Sequence, residues 1–312
     1  MAKRKNKYVA HLAEFYHNPD TWTQQAAEYL YRQRSGAVGD VPIDTVLYEE
    51  CVKGMERLPD ACVDLMIADP PFGIDFDGLG SAYNRDANNV VHGYEEVRED
   101  YGIFTYAWLK EASRLLNPHA SAYIFSGWNN LDEVIRSCRQ LELTPINHIV
   151  WKYNFGLFTK RKFVTSHYNI LFVVKNPETY YFNKVKHYPD DVWPIKREYR
   201  PGVKKNGTKL PLRLVRRLIK FSSRPGDLVF DPFMGNGTTA AAAKQLWRHF
   251  LGFEINSELR STIESELSLV MFGESFRKFD REAHIKELRV RYPHAAVEYD
   301  RRRMHEVAEN TR

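Results

Sequence analysis

The chain of 312 residues is 43% apolar and 27% charged with a net charge of +5, the balance of a soluble globular protein with core enough for one large domain or two small ones, and too little charge to imply a nucleic-acid partner by itself. No apolar run approaches the ~20 residues of a membrane span, and Met1-Ala2-Lys3-Arg4-Lys5 has no apolar segment behind it, so no secretory signal is expected. Cys51, Cys62 and Cys138 are few, scattered and odd in number, which predicts a reducing compartment and no metal site.

Residues 1 to about 40 carry Tyr8, Phe15, Tyr16, Trp22, Tyr29 and Tyr31 at partly helical spacing up to Ser35-Gly36, and are expected to form a helical extension packed on the core. A short strand is predicted over Asp44 to Tyr48, a helix over Val52 to Leu58, and a buried parallel strand over Val63 to Ala68. That strand delivers Asp69-Pro70-Pro71-Phe72. Each proline fixes φ and lacks an N–H, so no helix can continue and the Pro70 carbonyl is free to turn from the ladder. A carboxylate, a carbonyl and a phenyl face suit an exocyclic amino group on a flat ring: two acceptors take its hydrogens while the ring stacks. From Gly73 to Tyr101 the chain is rich in Gly, Asn and Asp, and is read as a mobile segment closing over that ring.

Helices over Phe104 to Leu116, ended by Asn117-Pro118, and over Leu131 to Leu141 alternate with strands over Ser121 to Phe125, Ile146 to Trp151 and Ile170 to Val174. Strands alternating with helices predict a three-layer α/β sheet. Between Leu157 and Leu210 twelve basic residues face four acidic ones, a local charge of +8 in a chain that is otherwise slightly acidic. Aromatics interleave with them, among them Tyr153, Tyr168 and Trp193, and are expected both to meet nucleic acid and to form a small satellite core, with no single ring assigned. A basic amphipathic helix is predicted over Pro211 to Phe221. The strand from Leu228 then runs into Asp231-Pro232-Phe233-Met234-Gly235-Asn236-Gly237-Thr238-Thr239 and a run of alanines. Glycines there let a ligand approach the backbone, and the helix behind them favours an anionic group. The next strand ends in Glu254, 17 residues past Gly237, where a Rossmann-type fold holds ribose hydroxyls.

Asp69-Pro70-Pro71-Phe72 resembles the target-base motif of amino-methyltransferases that act on adenine N6 or cytosine N4 in DNA, and Asp231 to Thr239 is similar to their Asp-Pro-Phe-x-Gly-x-Gly-Thr-Thr cofactor loop. The target motif comes first, the permuted order of the family's β class; related enzymes acting on glutamine, protein or ribosomal RNA usually place it second. The resemblance spans about residues 43 to 256 and implies a class I methyltransferase fold: an α/β, Rossmann-like, mostly parallel sheet with helices on both faces, a basic target-recognition insert and helical terminal extensions. The divisions it implies are a helical extension at 1–40, a target-base half at 41–156, a DNA-recognition region at 157–208, an S-adenosylmethionine-binding half at 209–275 and a helical tail at 276–312. Asp69, Pro70, Pro71 and Phe72 would be catalytic. Asp231, Phe233, Gly235, Asn236, Gly237, Thr238 and Thr239 would line the methionine and ribose of S-adenosylmethionine, with Glu254 on the ribose and Ile255 against its adenine. Lys209 and Pro211 fall where the family has a Lys-Pro element at the cofactor's amino-acid end, a looser match because Leu210 separates them. Lys160, Arg161, Lys162, Lys184, Lys186, Lys196, Arg197, Lys204 and Lys205 would meet the DNA backbone.

The activity implied is site-specific methylation of adenine N6 in double-stranded DNA, by base flipping and direct in-line transfer. Asp in the first motif position resembles the adenine enzymes, whereas Ser is commoner in N4-cytosine enzymes, which remain the alternative. A DNA-binding relative without catalysis is disfavoured by the intact Asp69, Gly235 and Gly237, and a nicotinamide-dependent oxidoreductase leaves Asp-Pro-Pro-Phe unexplained. A homodimer, a cognate restriction endonuclease and a cytoplasmic, nucleoid-associated setting of prokaryotic or phage type are further implications. Glu49-Glu50-Cys51 stands where relatives often have Gly-Asp, which leaves the role of Glu50 open.

Overall fold

The computed structural model describes residues 22–34, 36–72, 100–153, 160–161, 163–184, 189–197, 209–276 and residue 290. Helix α1 (Gln24–Gln33) starts at Thr23, whose hydroxyl accepts from the Ala26 N–H at 3.2 Å. A short antiparallel pair follows, β1 (Ala37–Val38) and β2 (Val41–Pro42), turned by Gly39 at φ +56°. Next come β3 (Thr45–Leu47) and α2 (Cys51–Glu56). The Glu50 carboxylate accepts from the N–H groups of Val52 (2.8 Å) and Lys53 (3.0 Å), so it caps α2.

Strand β4 (Val63–Ala68) matches its predicted bounds, and α3 (Tyr101–Leu115) is capped by Asp100. The next strand departs from expectation. Asn117-Pro118 does not separate helix from strand, because β5 (Leu116–Ser126) already begins at Leu116, paired with Val63. The register slips between Val63 and Leu65, and this irregularity accommodates a proline that cannot donate to a ladder. Asn117 Nδ2 secures the bulge by donating to Asp64 Oδ1 at 2.7 Å. The chain continues through α4 (Leu131–Gln140), β6 (Thr144–Lys152), β7 (His167–Val174), β8 (Val192–Pro194), α5 (Leu212–Ser222), β9 (Leu228–Asp231), α6 (Thr238–Gln245), β10 (His249–Phe253) and α7 (Arg260–Ser268). The proposed closing segment at 73–99, the basic residues Lys162, Lys186, Lys204 and Lys205, and the tail beyond Phe276 apart from residue 290 lie outside the described residues.

Eight strands form one sheet in the order β3-β10-β9-β4-β5-β7-β6-β8. Strand β7 is antiparallel to both of its neighbours, and every other pairing is parallel. Strand β4 shows why its sequence is a continuous apolar run: Met66 and Ala68 enter the core under α2, α3 and α4, while Leu65 and Ile67 enter the core under α5 and α6. A strand covered on both faces has no side left for polar residues. Ala240 to Ala243 are all buried, and their small side chains let α6 lie close to the sheet.

Helix α1 is fastened at the edge where β3 and β10 begin. Tyr31 stacks on His249 with ring centroids 3.9 Å apart and donates its hydroxyl to Asp44 Oδ2 at 2.7 Å. The His249 ring reaches the same carboxylate through Nδ1 (2.8 Å) and the Tyr31 carbonyl through Nε2 (2.9 Å). Trp247 and Phe272 complete the cluster around Tyr31. Among the described residues no helix is long and apolar enough to cross a membrane.

Candidate active site

Neighbouring parallel strands β4, β9 and β10 end at the same edge of the sheet. Asp69 follows β4, Asp231 closes β9 and Glu254 follows β10, so three carboxyl groups meet from distant parts of the chain. Asp231 shapes the turn behind it, since Oδ1 accepts from the Phe233 N–H at 2.9 Å. The Met234 N–H then donates to the Phe253 carbonyl at 2.8 Å, which ties the loop to β10. Gly235 and Gly237 adopt φ of +53° and +76°, the left-handed region that side chains resist. Glu254 holds the loop from the other side, accepting from the N–H groups of Gly235 (2.7 Å) and Asn256 (2.8 Å). A Cβ on Gly252 would sit 2.3 Å from the Asp231 carbonyl oxygen, so only glycine lets β10 pass this close beneath the loop.

Burial, helped by the charge of Asp231 and opposed by Arg197, pushes the Asp69 carboxyl up to about 7. Asp231 is also pushed up to about 7 by burial, which outweighs its bonds from Thr239 and the Phe233 N–H, with Glu254 adding repulsion. Glu254 is raised by burial against three backbone N–H groups. Three buried acids in a row, with Asp231 opposing the ionisation of Asp69 and Glu254 that of Asp231, are relieved by a cation. The donor set therefore fits a ligand bearing positive charge together with hydroxyls for Glu254, seated over a loop whose glycines leave the backbone open.

Phe72 stands beside this edge. Its ring meets Tyr168 edge-on at 5.2 Å and lies against Gly127, where a Cβ would be 3.6 Å away; its carbonyl accepts from Asn130 Nδ2 at 2.7 Å. Pro70 is buried. Phe233 packs edge-on to Trp108 at 5.3 Å, Ile255 is 74% exposed next to Glu254, and Lys209 pairs with Glu266 of α7 at 3.2 Å, just before the buried Pro211. Lys160, Arg161, Lys184 and Lys196 are exposed. Arg197 is placed differently, its guanidinium lying over the rings of Trp151 (4.9 Å), Tyr153 (5.1 Å) and Tyr168 (5.0 Å). Sequence reading missed Gly127 and Asn130, whose types carry no signal, and left Tyr153 and Tyr168 unassigned among the aromatics of the basic region. A small cleft lined by Tyr123, Ile149, Phe172 and Trp193 is lined by none of the three acids.

The family model for DNA methylases of the N6/N4 methyltransferase type matches residues 63–265, more than half of the chain, and takes in Asp69, the glycine loop and Glu254. The chain belongs to this family. It is thus a DNA methyltransferase of the N6/N4 type. The type II methyltransferase M.HinfI of Haemophilus influenzae is 27% identical over 248 residues, covering 72% of this chain and 68% of the relative. M.HpaI of Haemophilus parainfluenzae, also a type II methyltransferase, is 29% identical over 232 residues, covering 68% and 70%. Among solved structures, the M1.HpyAVI–SAM complex superimposes with a TM-score of 0.56 at 23% identity, over 72% of this chain and 98% of that one. The cytosine-N4-specific PvuII DNA methyltransferase does so with a TM-score of 0.58 at 17% identity, over 76% and 86%. These likenesses show the class I methyltransferase fold, reached here with the target motif ahead of the cofactor loop.

Proposed function

We propose that this methyltransferase acts on the N6 amino group of adenine in double-stranded DNA, with S-adenosylmethionine as methyl donor. The observation that carries the reading is the convergence of Asp69 and Phe72 with the glycine loop at adjacent strand ends. When bound, S-adenosylmethionine supplies a methyl group already activated by its sulfonium charge. The protein's task is then to position an amine and stabilise the charge that develops on it. Asp69 and the Pro70 carbonyl accept the amino hydrogens of an extruded base, Pro70 and Pro71 keep the segment extended, and Phe72 stacks on the ring. Asp231, Phe233, Gly235, Asn236, Gly237, Thr238 and Thr239 hold the methionine and ribose of the donor, Glu254 its hydroxyls and Ile255 its adenine, with Lys209 and Pro211 at its amino-acid end. Exposed Lys160, Arg161, Lys184 and Lys196 contact phosphates, together with Lys162, Lys186, Lys204 and Lys205. The target-base half is 41–156, the recognition region 157–208 and the donor half 209–275, flanked by the extensions. Asp at position 69, where N4-cytosine enzymes more often have Ser, supports adenine. The type II relatives support a restriction–modification setting with a cognate endonuclease, and a homodimer belongs to the same proposal.

The deciding experiment incubates the protein with tritiated S-adenosylmethionine and mixed-sequence double-stranded DNA, then identifies the labelled nucleoside. N6-methyladenine is expected, and Asp69→Ala should lower the rate by roughly 10²–10⁴ while donor affinity stays within a few fold. Label in N4-methylcytosine would reverse the base assignment. An unlabelled digest despite intact donor binding would reject the reading.

A further inference from the structure

Position in the basic region reads Arg197 as one more phosphate contact, but its surroundings differ from those of its neighbours. Lys196 is exposed, whereas the Arg197 guanidinium lies within 4.9–5.1 Å of three ring centroids, those of Trp151, Tyr153 and Tyr168. A planar cation stacked on three rings faces the protein and is not available as a flexible arm toward solvent. Tyr168 in turn meets the Phe72 ring edge-on, so Arg197 is one aromatic layer from the surface assigned to the flipped base. Among the described residues, the charged groups acting on the Asp69 carboxyl are Asp231, which ends β9, and Arg197, which follows β8; Glu254, which follows β10, acts one strand further out, on Asp231. Arg197 is the cation of this set. Tyr168 on β7 and Tyr153 after β6 flank it.

We propose, resting on the methylation reading above, that Arg197 is part of the target-base pocket, a positioning residue held by three rings behind Phe72, whose charge favours the ionised form of Asp69 as acceptor for the amino group. A phosphate contact would govern how tightly DNA binds. The role argued here governs the chemical step, and most strongly at low pH. Removing the cation leaves burial and Asp231 unopposed, so Asp69 takes up a proton at higher pH, and a neutral carboxyl is a weaker acceptor that no longer balances the positive charge developing on the amine.

The test measures single-turnover methyl transfer by the full-length protein between pH 5.5 and 9, with saturating S-adenosylmethionine and mixed-sequence double-stranded DNA, for wild type, Arg197→Lys and Arg197→Met. Arg197→Met should be about tenfold slower than wild type near pH 6.5, as a one-unit displacement of the acid limb gives, with the gap closing toward pH 9. Arg197→Lys should restore much of the acid limb. Donor affinity should stay within about threefold, and the slope of log DNA affinity against log salt should be unchanged, since no phosphate contact is lost. An unmoved acid limb with a salt slope smaller by about one would make Arg197 a phosphate contact and overturn the inference. An equal loss at every pH, unrelieved by lysine, would make it structural and overturn it too. Either result in an active wild type leaves the methylation reading standing; a wild type that labels no base overturns that reading and the inference together.

Discussion

Asp69, Asp231 and Glu254 sit at the ends of three adjacent strands, where burial raises all three, Asp231 adds repulsion on Asp69 and Glu254 adds it on Asp231, which fixes how the site answers to pH. Asp69 and Asp231 are held up to about 7, against about 3.9 for a free aspartate. A raised acid pKa favours the folded state fully below the unfolded value, and that contribution is lost as pH rises through about 7. A cationic ligand reverses the preference, because it binds best to the ionised acids and expels the protons they carry. S-adenosylmethionine should therefore bind more tightly as pH rises from 5.5 to 8, and should release protons near pH 6.5. S-adenosylhomocysteine, which lacks the sulfonium charge, should show a smaller trend. Calorimetry in two buffers of different ionisation enthalpy measures the release directly; equal values for both ligands would show that the acids do not sense the sulfonium.

At the scale of elements, helix α1 depends on one aromatic side chain. Tyr31 contacts His249, Trp247 and Phe272 and donates to Asp44, while Arg34 at the end of the helix pairs with Asp64 at 2.5 Å. Tyr31→Ala should destabilise the protein by roughly 1–3 kcal/mol through lost ring contacts and one lost hydrogen bond to Asp44, which keeps His249 as a partner. Donor affinity should not change, because this edge of the sheet is opposite the carboxylates. Chemical denaturation and a binding titration on the same sample check both statements. Strand β4 and the segments around the glycine loop were legible because a buried parallel strand reads as an apolar run and a loop held at positive φ needs glycine. Less could be read of β5, where the apolar pattern begins after Pro118 but the pairing begins before it. The antiparallel placement of β7 between β5 and β6 was also hidden, since periodicity identifies a strand without naming its neighbours. Arg197 was visible only as a charge. The ring cage that sets it apart is assembled from β6, β7 and the residue after β6, which lie far from it in sequence.

For the whole molecule, the strand order has an uncommon feature. Strands β3 and β4 follow each other in the chain through α2, yet β10 and β9 lie between them in the sheet. Strand β3 has β10 as its partner, and β4 has β9 on one side. A fragment of residues 1–210 should therefore fail to fold cooperatively and should aggregate through its open strand edges, while addition of a 211–312 fragment should restore a sigmoidal melt and donor binding. A fragment that melts cooperatively alone would contradict the account. The interleaving also sets an order in time. On a ribosome adding ~5–20 residues per second, Asp69 emerges on the order of ten seconds or more before the glycine loop. A chain released early by a stalled ribosome or a premature stop codon thus carries Asp69, the proposed acceptor, without the loop proposed to hold the methyl donor, so on that proposal incomplete synthesis leaves the genome unmarked.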